Sequence, residues 1–121
     1  MYIMLVDDEY RICKGIARLI EKRWPDIRVE KYGNALDALA SIRQERPDLL
    51  ITDISMPEMD GLELIRLAQA EGLRHCAILT GFDEFELVQK ALRLHAIDYF
   101  MKPVDIHLLF GLIQRVREIG E

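Results

Sequence analysis

Leu49-Leu50-Ile51-Thr52-Asp53 is a short, almost continuous apolar run that ends in a carboxylate, and it is the clearest indication of the fold class. A run of this length without helical spacing is typical of a strand that is buried on both faces. Ligands of open α/β sheets bind beyond the carboxyl ends of such strands. The stretch therefore predicts a parallel strand and makes Asp53 a candidate for chemistry.

Similar apolar runs recur along the chain and alternate with longer segments of helical spacing. We predict strands at Tyr2–Val6, Ile27–Tyr32, Leu49–Ile54, Cys76–Thr80 and Ala96–Met101. We predict helices at Glu9–Arg23, Ala35–Arg46, Gly61–Glu71, Glu84–Leu94 and Asp105–Ile119. Strict alternation with right-handed crossovers covers both faces of a parallel sheet. The expected product is a three-layer, doubly wound α/β sandwich, whose strand order the periodicity leaves open.

Two of the predicted helices carry clear apolar stripes. The first helix has Ile12, Ile16, Leu19 and Ile20, and the last has Leu109, Leu112, Ile113 and Val116. Because apolar residues at this spacing line one side of a helix, each stripe is expected to pack on the sheet. Asn34 is expected to cap the start of the second helix.

Length and composition are those of one globular domain that spans residues 1–121. The chain is 50% hydrophobic and 31% charged, and its net charge of −5 argues against nucleic acid or an anionic membrane as a direct partner. Cys13 and Cys76 lie far apart in a sequence with no signal peptide and no long apolar run. These features favour packing roles for both thiols and a reduced, cytoplasmic setting.

Acids, a hydroxyl and a lysine follow the ends of four predicted strands. Asp7 and Asp8 follow the first strand, Asp53 ends the third, Thr80 ends the fourth and Lys102 follows the fifth. Three carboxylates in one crevice repel each other unless a cation neutralises them. Mg²⁺ prefers such oxygen ligands, so we predict Asp8 and Asp53 as direct ligands and Asp7 as a ligand through water. The whole set suits phosphoryl transfer onto an aspartate, and we predict Asp53 as the nucleophile.

Small residues stand next to this predicted site. Pro57 and Gly61 lie in the loop after Asp53, where they are expected to leave room for an incoming phosphodonor. Gly81 directly follows Thr80 and is expected to remove side-chain bulk near a phosphoryl group.

Over essentially all of its length, the chain resembles the receiver domain of two-component response regulators. The resemblance rests on Asp7-Asp8, the segment from Asp53 to Gly61, Thr80, Tyr99 and Lys102-Pro103. It implies a flavodoxin-like (βα)₅ fold with strand order 2-1-3-4-5. It also implies a sensor histidine kinase that donates a phosphoryl group from a phosphohistidine.

The resemblance assigns a role to each residue near the expected metal. Asp53 would be the phospho-acceptor, and Asp8 and Asp53 would bind Mg²⁺ together with the backbone carbonyl of Ser55. Asp7 would act as a supporting acid. Such a protein is a phosphorylation-dependent switch that assists its own phosphoryl transfer, so we do not expect an enzyme that turns over a substrate.

The resemblance also implies how the switch works. Thr80 and Lys102 would hold the phosphoryl oxygens, and Tyr99 would turn inward as Thr80 moves toward them. The fourth helix, fifth strand and fifth helix would then change their packing and bind an output domain or a second copy of the chain. The Lys102-Pro103 peptide is expected to be cis.

Two segments further resemble receivers that are joined to AraC-type helix-turn-helix domains. They are Thr80-Gly-Phe-Asp-Glu-Phe-Glu86 and Ala96-Ile-Asp-Tyr-Phe-Met-Lys-Pro-Val-Asp105. The resemblance implies an output domain that regulates transcription by binding DNA. We expect no such domain within residues 1–121, so either it lies outside these residues or the receiver stands alone.

Three places depart from the pattern of the family, namely His95, the order Gly33-Asn34 before the second helix, and Ser55 together with Phe82. His95 stands at the turn into the fifth strand, where receivers often have Gly, so a left-handed backbone there would cost about 1 kcal/mol. Phe82, two residues after Thr80, is bulky. We hypothesise that Phe82 shields the phosphoryl group, so that Phe82→Ala would lose it faster in the presence of Mg²⁺.

Four other interpretations compete with this one. A phosphohydrolase of the haloacid dehalogenase class needs a second acid two residues after its nucleophile, where this chain has Ser55. A flavodoxin-like flavin carrier would be repelled by the acids at Asp7-Asp8-Glu9. A degenerate receiver that only binds proteins usually lacks part of the site. The acids after the first strand alone could also serve merely to start the first helix.

Overall fold

Strands and helices alternate along the part of the chain that the computed structural model describes, residues 1–81 and 83–120. The strands are β1 (Tyr2–Val6), β2 (Arg28–Tyr32), β3 (Leu49–Asp53), β4 (Cys76–Thr80) and β5 (Asp98–Met101). The helices are α1 (Tyr10–Arg23), α2 (Ala35–Gln44), α3 (Gly61–Ala70), α4 (Phe85–Arg93) and α5 (Ile106–Gly120). Each predicted element is present, and its ends differ from the prediction by at most two residues.

The five strands form one parallel sheet in the order β2-β1-β3-β4-β5. This order confirms the flavodoxin-like fold. The chain runs outward from β1 to β2 and then crosses to β3 on the other side of β1. The reversal of direction lies between β1 and β3, and ligands of doubly wound sheets bind beyond the strand ends at that point.

Two apolar clusters cover the two faces of the sheet. Alternate residues of β1 divide between them, because successive strand side chains point to opposite faces. Met4 packs with α2, α3 and α4, whereas Ile3 and Leu5 pack with α1 and α5. Burial on both faces explains why β1, β3 and β4 are fully buried and read as continuous apolar runs.

The stripe predicted for α5 is confirmed, since Leu109, Leu112, Ile113 and Val116 are all buried. The stripe predicted for α1 is wrong at one position. Leu19 is 44% exposed, and the buried face is formed by Cys13, Ile16, Ala17 and Ile20. The small Ala17 takes the place on the sheet that we assigned to the larger Leu19.

The predicted cap of α2 is present. The side-chain Oδ1 of Asn34 accepts a hydrogen bond from the backbone N–H of Asp37 at 2.8 Å. Asp60 caps α3 in the same manner, because its Oδ1 accepts the N–H of Glu63 at 2.9 Å. Both bonds satisfy a backbone donor that the first turn of a helix leaves free.

His95 has a left-handed backbone, with φ of 66°, at the position where the resemblance to receivers led us to consider one. It follows α4, and its N–H donates to the carbonyl of Leu92 at 3.0 Å. The N–H of Ala96 donates to the carbonyl of Ala91 at 3.0 Å. His95 thus occupies the left-handed C-terminal position of a helix that is usually occupied by glycine. Glu58 also has a positive φ, of 69°, which nothing in the sequence indicated.

Both cysteines are buried in the core, Cys13 on one face of the sheet and Cys76 on the other. Burial raises the pKa of Cys13 to about 12, with the nearby Asp7 adding to the effect, and raises the pKa of Cys76 to about 11. Protonated, buried thiols are typical of packing residues. Among the described helices, none is long and apolar enough to cross a membrane.

Candidate functional site

Three acids meet at the carboxyl edge of the sheet. Asp7 and Asp8 directly follow β1, and Asp53 is the last residue of β3. The two strands are parallel neighbours, so their ends coincide, and ligand oxygens of the three carboxylates lie within 4.8 Å of one another. Asp7 is fully buried and Asp53 is 4% exposed, whereas Asp8 faces solvent. Water therefore screens only part of the repulsion in this cluster.

Lys102 reaches the cluster from the end of β5. Its Nζ lies 2.9 Å from Asp7 Oδ2 and 3.0 Å from Asp53 Oδ2. It also lies 3.4 Å from Glu9 Oε1, but Glu9 is largely exposed, so that ion pair contributes little. The Lys102-Pro103 peptide is cis, as the sequence predicts. One ammonium group thus bridges the two buried acids.

Backbone groups hold the other oxygens of these two acids. Asp7 Oδ1 accepts the N–H of Glu9 at 2.8 Å, and Asp53 Oδ1 accepts the N–H of Ser55 at 3.3 Å. Asp7 Oδ2 has its close ion contact with Lys102 but no hydrogen bond of normal geometry within the described residues. The two acids are therefore fixed in position, while the hydrogen-bonding capacity of Asp7 Oδ2 is not fully used.

Burial and neighbouring charges shift the pKa values of Asp53 and Lys102. Burial raises the pKa of Asp53 to about 6, because the hydrogen bond from Lys102 only partly offsets burial and the neighbouring Asp7 opposes ionisation further. Burial would lower the pKa of Lys102, but the contacts with Asp7 and Asp53 outweigh it and hold that pKa above its ordinary value. Lys102 is therefore charged at neutral pH, and ionised Asp53 is under electrostatic stress.

Because burial and the neighbouring Asp7 disfavour the ionised form of Asp53, we predict that Asp53→Asn stabilises the metal-free protein. The folded-state pKa of about 6 exceeds the ordinary value of 3.8, so ionisation of Asp53 costs stability as the pH rises through this interval. At about 1.4 kcal/mol per pKa unit, Asp53→Asn should raise the free energy of unfolding at pH 7.5 by about 3 kcal/mol. The gain should vanish near pH 4.

Urea unfolding in EDTA across this pH range measures the difference between variant and wild type. Asp83→Asn is the control, because Asp83 is exposed and its removal makes the same change in net charge. A gain that does not depend on pH would contradict the explanation.

The donor set fits a divalent cation. Three carboxylates and one ammonium sum to −2, and all the ligand atoms are the hard oxygens that Mg²⁺ prefers. Asp7, Asp8 and Asp53 are the residues that would hold the ion. Ser55 lies beside Asp53 through its N–H, and its role as a carbonyl ligand stays a prediction.

Thr80 lies at the same edge, but its hydroxyl makes no hydrogen bond to Asp7, Asp8 or Asp53. Its hydroxyl donates toward Glu84 Oε1 at 3.4 Å and toward the carbonyl of Gly81 at 3.3 Å. The backbone N–H of Gly81 donates to the same Glu84 oxygen. No pattern in the sequence indicated this contact, since an acid at the start of a helix is commonly explained by the helix dipole.

The structure gives a packing reason for glycine at position 61, which we did not predict. A Cβ at this position would overlap the carbonyl oxygen of Asp53 and would lie 2.9 Å from the Cα of Ile54. The start of α3 therefore packs directly on the end of β3, and Gly61 permits that approach. At Gly81, a Cβ would lie 2.9 Å from Glu84 Oε1.

Tyr99, the other predicted switch residue, is 45% exposed on β5. Further exposed apolar side chains occur on α4, β5 and α5, namely Phe85, Met101 and Leu108. Phe82, for which we hypothesised a shielding role, lies outside the described residues.

A parallel sheet of this order with an acid cluster at its switch point defines a receiver-type α/β domain. The family model of the response regulator receiver domain matches residues 3–114, and the chain belongs to that family. Receiver domains of two-component systems are phosphorylation-dependent switches.

Relatives and solved structures agree with this membership. An uncharacterized response regulatory protein of Shewanella oneidensis is 35% identical over 115 residues, which are 95% of this chain and 48% of that protein. The transcriptional regulatory protein BtsR of Escherichia coli is 33% identical over 117 residues, or 96% of this chain and 48% of that protein. The chain thus spans about half the length of these relatives.

Among solved structures, the REC domain of AraT, a response regulator from Geobacillus stearothermophilus, is 34% identical to this chain. The two superpose with a TM-score of 0.87, and the match covers 97% of this chain and 92% of that one.

Proposed function

We propose that the chain accepts a phosphoryl group on Asp53 from the phosphohistidine of a sensor kinase, in a reaction that requires Mg²⁺. The observation that carries this proposal is the setting of the Asp53 carboxylate. It is buried at the end of a rigid strand, with the Ser55 N–H on one oxygen and Lys102 on the other. A carboxylate held in this way is oriented for attack on an incoming phosphorus atom.

In the proposed step, an Asp53 carboxylate oxygen forms a bond to phosphorus while the phosphorus–nitrogen bond of the kinase histidine breaks. The imidazole leaves as a neutral ring when its other nitrogen carries a proton. Lys102 neutralises charge on the phosphoryl oxygens, and Asp7 keeps the Lys102 ammonium beside Asp53. Mg²⁺, bound by Asp7, Asp8 and Asp53, would screen the repulsion between the carboxylates and the phosphoryl group.

We further propose that residues 1–121 act as one receiver unit in the cytoplasm and control an output domain outside these residues. Thr80 and Tyr99 would couple Asp53 to α4, β5 and α5. The exposed Phe85, Met101 and Leu108 support a protein partner on that surface, either the output domain or a second copy of the chain.

Relatives that are named transcriptional regulators favour an output domain that binds DNA. The two segments that resemble receivers joined to AraC-type domains favour an output domain of that class.

A phosphorylation assay tests the proposal. After incubation with a small phosphodonor and MgCl₂, intact-mass spectrometry should detect the gain of one phosphoryl group. Asp53→Asn or excess EDTA should abolish the gain, and the control Asp83→Asn should retain it. No gain in the wild type, or a gain that survives Asp53→Asn, would rule out Asp53 as the acceptor.

A further inference from the structure

Glu84, directly before α4, turns its carboxylate back onto the end of β4. A single oxygen, Oε1, accepts the backbone N–H of Gly81 and lies 3.4 Å from the hydroxyl of Thr80. Thr80 is 2% exposed and Glu84 is half-buried, so water competes weakly for these donors. Glu84 occupies the N-cap position of α4, but its side chain makes no capping hydrogen bond to the first turn of that helix.

The two donors lie next to the proposed phospho-acceptor. Leu79 pairs with Asp53 across β4 and β3, so Thr80 and Gly81 are the next residues beyond the level of Asp53. A phosphoryl group on Asp53 extends beyond the strand end and carries oxygens that require donors. Lys102 supplies donors from β5, and the Thr80 hydroxyl and Gly81 N–H are the donors offered from β4.

We propose that the Glu84 carboxylate is an internal competitor of the phosphoryl group, which holds Thr80 and Gly81 in the resting state and must leave when Asp53 is phosphorylated. This inference rests on the proposed function. A carboxylate and a phosphoryl group are both anionic acceptors, so they cannot share two donors in a poorly solvated site without strong repulsion.

The place of Glu84 in the chain links this exchange to α4. Because Glu84 directly precedes Phe85, the first residue of α4, displacement of its side chain acts on the beginning of that helix. Its carboxylate also lies close to the backbone at position 81, since a Cβ there would be only 2.9 Å from Glu84 Oε1. Glu84 is thus a positioning residue for Thr80, and its carboxylate disfavours the phosphorylated state of Asp53.

Binding of a phosphoryl analogue tests the inference. Calorimetric titration of the full chain with beryllium fluoride in MgCl₂ measures the affinity for a group that mimics phosphoaspartate. Glu84→Gln keeps the size of the side chain and removes its charge, and Glu84→Ala removes both. Both variants should bind the analogue about tenfold more tightly than the wild type, as expected for the release of one charge-assisted hydrogen bond. Hydrogen exchange at the Gly81 amide should become faster in Glu84→Ala.

Glu86→Gln is the matched control, because Glu86 is an exposed acid in the first turn of α4 and its replacement makes the same change in net charge. Its affinity should equal that of the wild type. If Glu84 only stabilises the loop, its variants will unfold more easily but bind the analogue with unchanged or lower affinity, which would overturn the inference. If no variant binds and the wild type does not bind either, the proposed function itself fails, and the inference about Glu84 fails with it.

Discussion

Lys102→Met should lower the free energy of unfolding of the metal-free protein by about 3 kcal/mol at pH 7.5. The substitution keeps an apolar stem but leaves Asp7 and Asp53 without the ammonium that lies within 3.0 Å of both. The loss is large because these acids are buried, and removing one partner of a buried ion pair exposes the other to an uncompensated desolvation cost.

The pH dependence of this effect follows from the same acids. The pKa of Asp53 is already raised to about 6, and losing the Lys102 hydrogen bond raises it further. Protonation of Asp53 removes this repulsion, so the destabilisation should shrink as the pH falls from 7.5 toward about 6 and change little below that. Added MgCl₂ should also restore part of the stability at pH 7.5, since a ligand that binds only the folded state stabilises it.

Urea unfolding of wild type and variant in EDTA, at several pH values, measures this effect. Lys90→Met is the control, because Lys90 is an exposed lysine on α4 and its replacement should change stability by less than about 0.5 kcal/mol. A loss for Lys102→Met no larger than that of the control would show that Coulomb attraction in the cluster merely balances the cost of burying Lys102.

The helices and strands could be predicted from the sequence because the strands of a parallel sheet that is buried on both faces must be almost entirely apolar. β1, β3 and β4 are fully buried, and each reads as an apolar run. The strand order came from the resemblance to receivers, since periodicity does not say which strands are neighbours. The error at Leu19 arose because Ala17, a small residue, packs on the sheet in a position where we expected a large one.

The acids of the site were predictable for a related reason. Ends of parallel strands meet at one edge, so the acids that follow β1 and the acid that ends β3 must lie together. The contact of Glu84 with Thr80 was not predictable, because it depends on how the loop after β4 folds back. Gly61 was identified, but its reason lies in the distance between α3 and β3, which is set by tertiary packing.

Gly61→Ala should therefore destabilise the protein by about 3 kcal/mol, although the change adds only one methyl group. The added Cβ would overlap the carbonyl oxygen of Asp53 and would lie 2.9 Å from the Cα of Ile54. Both obstacles are backbone atoms, so no side chain can rotate away. The Gly61 N–H also donates to the Ile54 carbonyl at 3.0 Å, which ties the start of α3 to the end of β3.

Relief of this clash must move either α3 or the residue that carries the candidate phospho-acceptor. We therefore expect Gly61→Ala to slow phosphorylation by a small phosphodonor as well as to lower stability, because an aspartate that moves by a fraction of an ångström loses its orientation toward Lys102. Urea unfolding and the rate of mass gain measure the two effects on the same samples.

Gly15→Ala is the matched control for this substitution. Gly15 is an exposed residue of α1, and a Cβ added there would meet no other atom within 4 Å. Alanine at this position should therefore raise stability by about 0.5 to 1 kcal/mol through helix propensity. The same chemical change should thus have opposite signs at two glycines. If Gly61→Ala were as stable as the wild type, the end of β3 would have to yield without cost, and the rigid placement of Asp53 on which the proposed phosphoryl transfer depends would be wrong.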